Sequence, residues 1–174
     1  FPFCTNLQLY GEWAGEDKFS PWQNEAPGYV AGFLISDIFN DPGLDFRVEY
    51  ANTDAAWYTH GIYTSGYRYK GDILGHHMGR SADDFFTRLS KEFPAKGDYL
   101  QRFVLGGEFD YEDRMKIMPA VEHKYEVTLD GAMYLNDYDA IKVSYRRQEF
   151  RNFENVPGRK ASDNIFQVEA YAKF

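Results

Sequence analysis

The strongest constraint in this chain is a period of two. From Val121 to Gly131, Val121, His123, Tyr125, Val127 and Leu129 fall on one face of an extended chain. Glu122, Lys124, Glu126, Thr128 and Asp130 fall on the other. A helix would scatter these charges around its axis, so the segment reads as a strand. Residues 140–150 repeat the pattern, with Ile141, Val143 and Tyr145 opposing Lys142, Ser144 and Arg146. Residues 3–14 set Phe3, Thr5, Leu7, Leu9 and Trp13 against Asn6, Gln8, Tyr10 and Glu12. Residues 44–54 set Leu44, Phe46, Val48 and Tyr50 against Asp45, Arg47, Glu49 and Thr53. Residues 99–110 set Tyr99, Phe103, Leu105 and Phe109 against Arg102, Val104 and Glu108. Residues 163–174 set Phe166, Val168, Ala170, Ala172 and Phe174 against Gln167, Glu169, Tyr171 and Lys173. Residues 27–38 are more uniformly apolar. Residues 83–93 alternate less cleanly, and a short helix fits them as well as a strand.

The sum is roughly eight strands of about ten residues, the length that crosses a bilayer when tilted. Connections alternate too. Asn40 to Gly43, Pro94 to Asp98 and Asn136 to Tyr138 are short, while 15–26, 55–82, 111–120 and 151–162 are long. Tight turns on one side and long loops on the other mark an outer-membrane barrel.

The polar faces carry charges of both signs: Glu12, Asp45, Arg47, Glu49, Arg88, Arg102, Glu108, Glu122, Lys124, Glu126, Lys142, Arg146, Glu169 and Lys173. A charge facing lipid near the midplane costs about 2–4 kcal/mol, so these groups are expected inside, as cross-strand ion pairs or a polar lumen. The fold expected is therefore all-β, an antiparallel transmembrane barrel with short periplasmic turns and long extracellular loops. A soluble sandwich, with the same charges in water, stays open as the alternative. Trp13, Tyr29, Tyr50, Tyr99, Tyr111, Tyr134 and Tyr145 fit interfacial girdles. Phe166, Val168, Ala170, Ala172 and Phe174 resemble the closing-strand signal read by the barrel assembly machinery.

Composition removes other classes. Hydrophobic residues make up 44%, yet no run approaches the roughly 18 residues of a membrane helix. Aromatics at 18% argue against disorder. A net charge of -8 without a basic stripe disfavours nucleic acid. The one cysteine, Cys4, excludes an internal disulfide and a Cys-rich zinc site.

Residues 47–86 read RVEYANTDAAWYTHGIYTSGYRYKGDILGHHMGRSADDFF. The strand RVEYA, the Tyr-rich connection ending in GYRYKGDILGHHMG, and SADD resemble the bacterial capsule assembly Wzi family. LYGEWAGED and PGYVAGFLISD are similar to the hairpin that precedes it there. The resemblance implies a large outer-membrane barrel of about eighteen strands that helps hold capsular or exopolysaccharide at the surface, like a lectin and not as an enzyme. It also implies that residues 1–174 form one barrel domain that is the C-terminal portion of such a protein. About eight strands close into a small barrel or await the rest of a larger one.

The longest connection holds Trp57, Tyr58, His60, Tyr63, Tyr67, Tyr69, His76, His77 and Arg80. Aromatic faces stack on sugar C–H groups, and Arg and His suit acidic sugars. The loop is thus the candidate carbohydrate site; the alternative is that it folds inward and buries these rings. His76 and His77 with Asp83 and Asp84 invite a metal reading. Adjacent histidines on an extended chain diverge, however, so neither a metal nor another cofactor is expected. Ser65 and Ser81 near histidines leave a lipid-modifying outer-membrane enzyme as the runner-up, without a G-x-S-x-G motif to support it. Gly11-Glu12-Trp13 invites comparison with a lipocalin, a soluble small-molecule binder, but lipocalins carry apolar side chains inside.

Overall fold

The computed structural model describes residues 6–15, 27–58, 68–69, 72–73, 76–97, 100–136 and 138–172. Its strands are β1 (Asn6–Gly15), β2 (Pro27–Ser36), β3 (Leu44–Thr53), β4 (Arg68–Tyr69), β5 (Asp72–Ile73), β6 (Ala82–Gly97), β7 (Leu100–Arg114), β8 (Glu122–Tyr134), β9 (Ala140–Arg151) and β10 (Lys160–Tyr171). Eight of them form one antiparallel sheet in the order β1-β2-β3-β6-β7-β8-β9-β10. β4 and β5 make a separate hairpin inside the long loop. The sheet is not closed: β1 and β10 are its two edges. A closed eight-stranded barrel is therefore not what this chain forms. No helix among the described residues is long and apolar enough to cross a membrane.

The segment 83–93 is a strand and not a helix. It lies within β6, paired along its length with β3 on one side and β7 on the other. Two neighbours satisfy its backbone groups on both edges, which overrides the weak local pattern. The pattern is weak because Phe86 shares the charged face while Asp83, Thr87 and Lys91 share the apolar one.

Burial is inverted relative to a protein folded around an apolar core. Leu9 is 73% exposed, Leu129 59% and Val168 58%. On the opposite face Glu112 is 0% exposed and Lys124 5%, and Glu122, Glu126 and Thr128 are buried beside them. This is the reverse of a lipocalin, and Trp13 of the G-x-W segment lies exposed on the apolar side. Two aromatic belts bound that side. Tyr29–Tyr50 and Tyr111–Tyr125 lie toward the loop end, while Phe33–Phe46 and the stacked Phe93–Phe103 pair lie toward the turn end. Along β7 the belts are eight residues apart, roughly 26 Å at about 3.3 Å per residue. Tyr134, expected in a girdle, instead lies on the charged face beneath the Arg102 guanidinium, 4.4 Å from its ring centre.

The charged face is wired across strands. Arg88 on β6 pairs with Glu108 on β7 and reaches over β7 to Asp130 on β8, donating at 2.7 and 2.9 Å. Gly106 makes that reach possible, because a Cβ there would collide with the guanidinium. Gly32 on β2 plays the same part where Tyr10 on β1 crosses to donate to Glu49 on β3 at 2.7 Å. A glycine in the middle strand thus lets a long side chain span two strand spacings, about 9.5 Å.

Two of the connections share one conformation that the sequence reading does not anticipate. Asp37, Phe39 and Asn40 take left-handed φ before Pro42-Gly43, as do Asn152, Glu154 and Asn155 before Pro157-Gly158. The Asp37 carboxylate accepts from Gly43 N–H at 2.7 Å, and the Asn152 amide oxygen from Gly158 N–H at 2.9 Å. The region 151–162 is accordingly a compact turn running into β10 and not a long loop. It is clamped to the preceding loop by Asn155 and Asn152, which donate to the carbonyls of Ala120 and Val121.

Replacing Gly106 with Val should lower stability by about 1–3 kcal/mol, because the branched side chain displaces Arg88. Gly107→Ala, whose new methyl would meet only Leu129 at ordinary contact distance, should stay within about 0.5 kcal/mol of the parent. Urea unfolding midpoints of the two variants compare these directly.

Candidate functional site

The described parts of the long loop, 54–58 and 76–81, fold onto the charged face at its loop end. Thr53 donates to Gly79 O at 2.7 Å, Ser81 N–H to Asp54 O at 3.0 Å, and Lys116 N–H to Ser81 O at 2.8 Å. Met78 enters a small apolar plug with Ala51 and Ala82. Small residues at 51 and 82 on adjacent strands leave room for the methionine, so composition and register together fix where the loop lands.

Trp57 lies flat against Gly28 of β2, so close that a Cβ there would be 2.7 Å from the indole. Its ring meets Tyr58 edge-on at 5.6 Å. Tyr58 takes a left-handed φ of 59°, and its hydroxyl accepts from His76 N–H at 2.9 Å. These three residues, with Glu12, Tyr29, Asn52 and Met78, line a cleft of about 230 Å³. Part of the loop therefore does fold inward, and the rings it carries there form one wall of an open cleft.

His76 and His77 do not diverge. They occupy a turn closed by Gly79 N–H donating to His76 O at 3.0 Å, and their rings lie 4.4 Å apart. Both Nε2 atoms face the Asp84 carboxylate, at 3.8 and 3.1 Å. His77 Nε2 also lies 3.7 Å from Asp110 and 3.5 Å from Glu112. Hydrogen bonding to Asp110, Asp84 and Glu112 pushes the His77 imidazolium up to about 11, while burial pulls His76 down. Asp83 and Asp84, adjacent in sequence, part company. Asp83 sits on the other face, accepting from Tyr50, Asn52 and Lys116.

Beneath the histidines runs a ladder of ion pairs. Glu112 accepts from Arg114 at 2.5 Å and from Lys124 at 2.6 Å. Lys124 also meets Glu126 at 2.8 Å, and Glu126 accepts from Gln148 at 2.6 Å beside Arg146 at 3.0 Å. Alternation placed Lys124 and Glu126 on this face. Asp110 and Glu112 share the parity of Glu108 and belong to this face as well; Glu112 lies beyond residue 110, where the alternation is read to end, because β7 runs on to Arg114.

Of the remaining loop residues, Arg80 is half-buried and Tyr69 lies in β4. His60, Tyr63, Tyr67 and Ser65 lie outside the described residues. Ser81 is buried, and its hydroxyl accepts from Ile117 N–H at 3.2 Å. On β10, Phe166, Val168 and Ala170 share one parity; Ala172 follows the strand and Phe174 is outside the described residues.

A family model described as capsule assembly protein Wzi matches residues 1–164 of the 174-residue chain. The chain belongs to the Wzi capsule assembly family. Comparison with curated proteins and with solved structures finds no match. What the geometry adds for this Wzi-family chain is a loop held down on a charged sheet face, with an aromatic cleft on one side and a His–carboxylate cluster on the other. A second cleft of about 220 Å³ lies toward the turn end, lined by Arg88, Asp130, Tyr134, Lys142, Gln167 and Glu169 among others.

Lys124→Met should destabilise by about 3–5 kcal/mol, since it strands Glu112 and Glu126 without their shared buried cation. Adding Glu112→Gln should recover part of the loss. Equilibrium unfolding of the single and double variants measures both.

Proposed function

We propose that this chain is part of an outer-membrane β-barrel that takes part in capsule assembly by holding capsular or exopolysaccharide at the cell surface, without transforming it. One observation carries the reading: in a capsule assembly family, the charged face is buried at its loop end, around Glu112, Lys124 and Glu126, while the apolar face is exposed between two aromatic belts. Lipid is the solvent that suits such a face, and a polar lumen suits the other. The two unpaired edges, β1 and β10, would be costly in hydrocarbon, so further strands are expected to complete the ring. Phe166, Val168, Ala170, Ala172 and Phe174 then supply the signal for the barrel assembly machinery. The chain is read as the C-terminal portion of a larger barrel domain, and nucleic acid is not among its partners.

Glycan contact is assigned to the loop side. The cleft beside Trp57 and Tyr58 has room for one sugar ring, an aromatic wall for its C–H face, and Glu12, Asn52 and His76 for its hydroxyls. Tyr63, Tyr67, Tyr69, His60, His77 and Arg80 extend the same loop. The enzymatic alternative is less favoured. Ser81 is buried, and its hydroxyl is engaged by the Ile117 backbone N–H.

Stacking on two rings contributes about 1–3 kcal/mol, so losing both should weaken glycan retention by roughly tenfold. Replacing Trp57 and Tyr58 with Ala in the full-length protein should therefore release cell-bound polysaccharide into the medium, measured as the ratio of cell-associated to free glycan. Unchanged retention with normal outer-membrane levels of the variant would refute the loop as the glycan site. Recovery of the parent protein from cells without detergent would refute the barrel.

A further inference from the structure

We propose that His76, His77 and Asp84 bind a divalent transition-metal ion of the zinc type at the loop end of the charged face. The inference is independent of the glycan reading.

Geometry comes first. One ligand atom from each of His76, His77 and Asp84 lies within 4.8 Å of the others. His76 and His77 Nε2 lie 3.8 and 3.1 Å from Asp84 Oδ2, and bonds of about 2.0–2.2 Å in a tetrahedral site need ligand atoms about 3.3–3.6 Å apart, so modest side-chain adjustments close this set around an ion. The extended-chain objection to neighbouring histidines does not apply, because these two sit in a turn with their rings side by side. Two imidazoles with carboxylates form a borderline nitrogen–oxygen set, which suits zinc-like ions better than calcium or magnesium.

Orphaned atoms come second. The Asp84 side chain is only 3% exposed, yet its Oδ1 has no hydrogen-bond partner among the described residues. Asp110 Oδ1 is in the same position. A buried carboxylate oxygen without a donor is costly and rare; the histidines face Oδ2, so an ion taken by Asp84 through both oxygens supplies the partner that Oδ1 lacks.

Charge comes third. Asp84, Asp110, Glu112, Glu122 and Glu126 surround this end of the face, against the cations Lys124, Arg114 and Arg146. With both histidines neutral, as metal ligands must be, two negative charges remain, which one divalent ion balances. A second triad, His77 with Asp110 and Glu112, shares His77. Lys124 and Arg114 already hold Glu112, and their charges would repel an ion placed there. The ion is therefore assigned to the Asp84 side. The rival occupant is a proton: a His77 imidazolium facing the same carboxylates would also ease the charge.

Zinc and cobalt(II) distinguish the two on the untagged full-length protein, extracted and stripped with chelator. We expect one zinc per chain retained through desalting, and intense visible absorption on cobalt loading from a four-coordinate nitrogen–oxygen site. His77→Gln and Asp84→Asn should each weaken zinc binding by roughly 10–100-fold or more, since even groups that merely support ligands have effects of that size. His123→Gln, removing the histidine that pairs with Asp113 on the other face, should leave binding unchanged. A zinc content well below stoichiometric, weak cobalt absorption of the aqueous-ion type, or equal loss in His123→Gln would overturn the proposal in favour of the proton. The cobalt spectrum is read on the parent protein, so it decides the matter even where a variant fails to assemble.

Discussion

The structure depends on the pairing of charges across neighbouring strands of one sheet face. Lys124 lies between Glu112 and Glu126, Arg146 supports Glu126, and Arg88 ties Glu108 to Asp130. A buried charge left alone costs several kcal/mol, so this face holds only because nearly every group on it has a partner. The glycines at 32 and 106 follow from the same need, since side chains must cross a strand to meet. The apolar face follows as well: with most of the charges turned one way, Leu9, Leu129 and Val168 are left facing the other.

The loop completes what the ladder begins. Segment 76–81 lies over the buried carboxylates and sets His77 among them. Met78 anchors it with an apolar contact to Ala51 and Ala82. The same anchoring brings Trp57 onto Gly28 and opens the aromatic cleft beside it. Proposed glycan contact and proposed metal binding are thus neighbours on one strapped segment, and His76 borders both.

Strand pairing was legible because alternation is a local signal. Val121–Gly131 could be read from its own residues, and β8 occupies Glu122–Tyr134. β6 resisted because its polar residues fall on both faces, and only pairing with β3 and β7 resolved it. The repeated Pro-Gly turns escaped because their shared element is a pattern of left-handed φ, which two different sequences, Asp37-Ile-Phe-Asn and Asn152-Phe-Glu-Asn, both adopt. The His pair was misjudged for a similar reason: the divergence rule assumes extended backbone, and the turn at Gly79 removes that assumption.

By itself the sequence determined the two faces, the eight-strand rhythm and the family resemblance, since each lies in short-range spacing or in a contiguous run of residues. Only the tertiary structure decided which carboxylates meet which cations, that the sheet stays open, and that Asp84, Asp110 and Glu112 gather around His77. Those groups come from β6, β7 and a loop, brought together by strand register. Register is fixed by pairing between strands and is not written in any one of them.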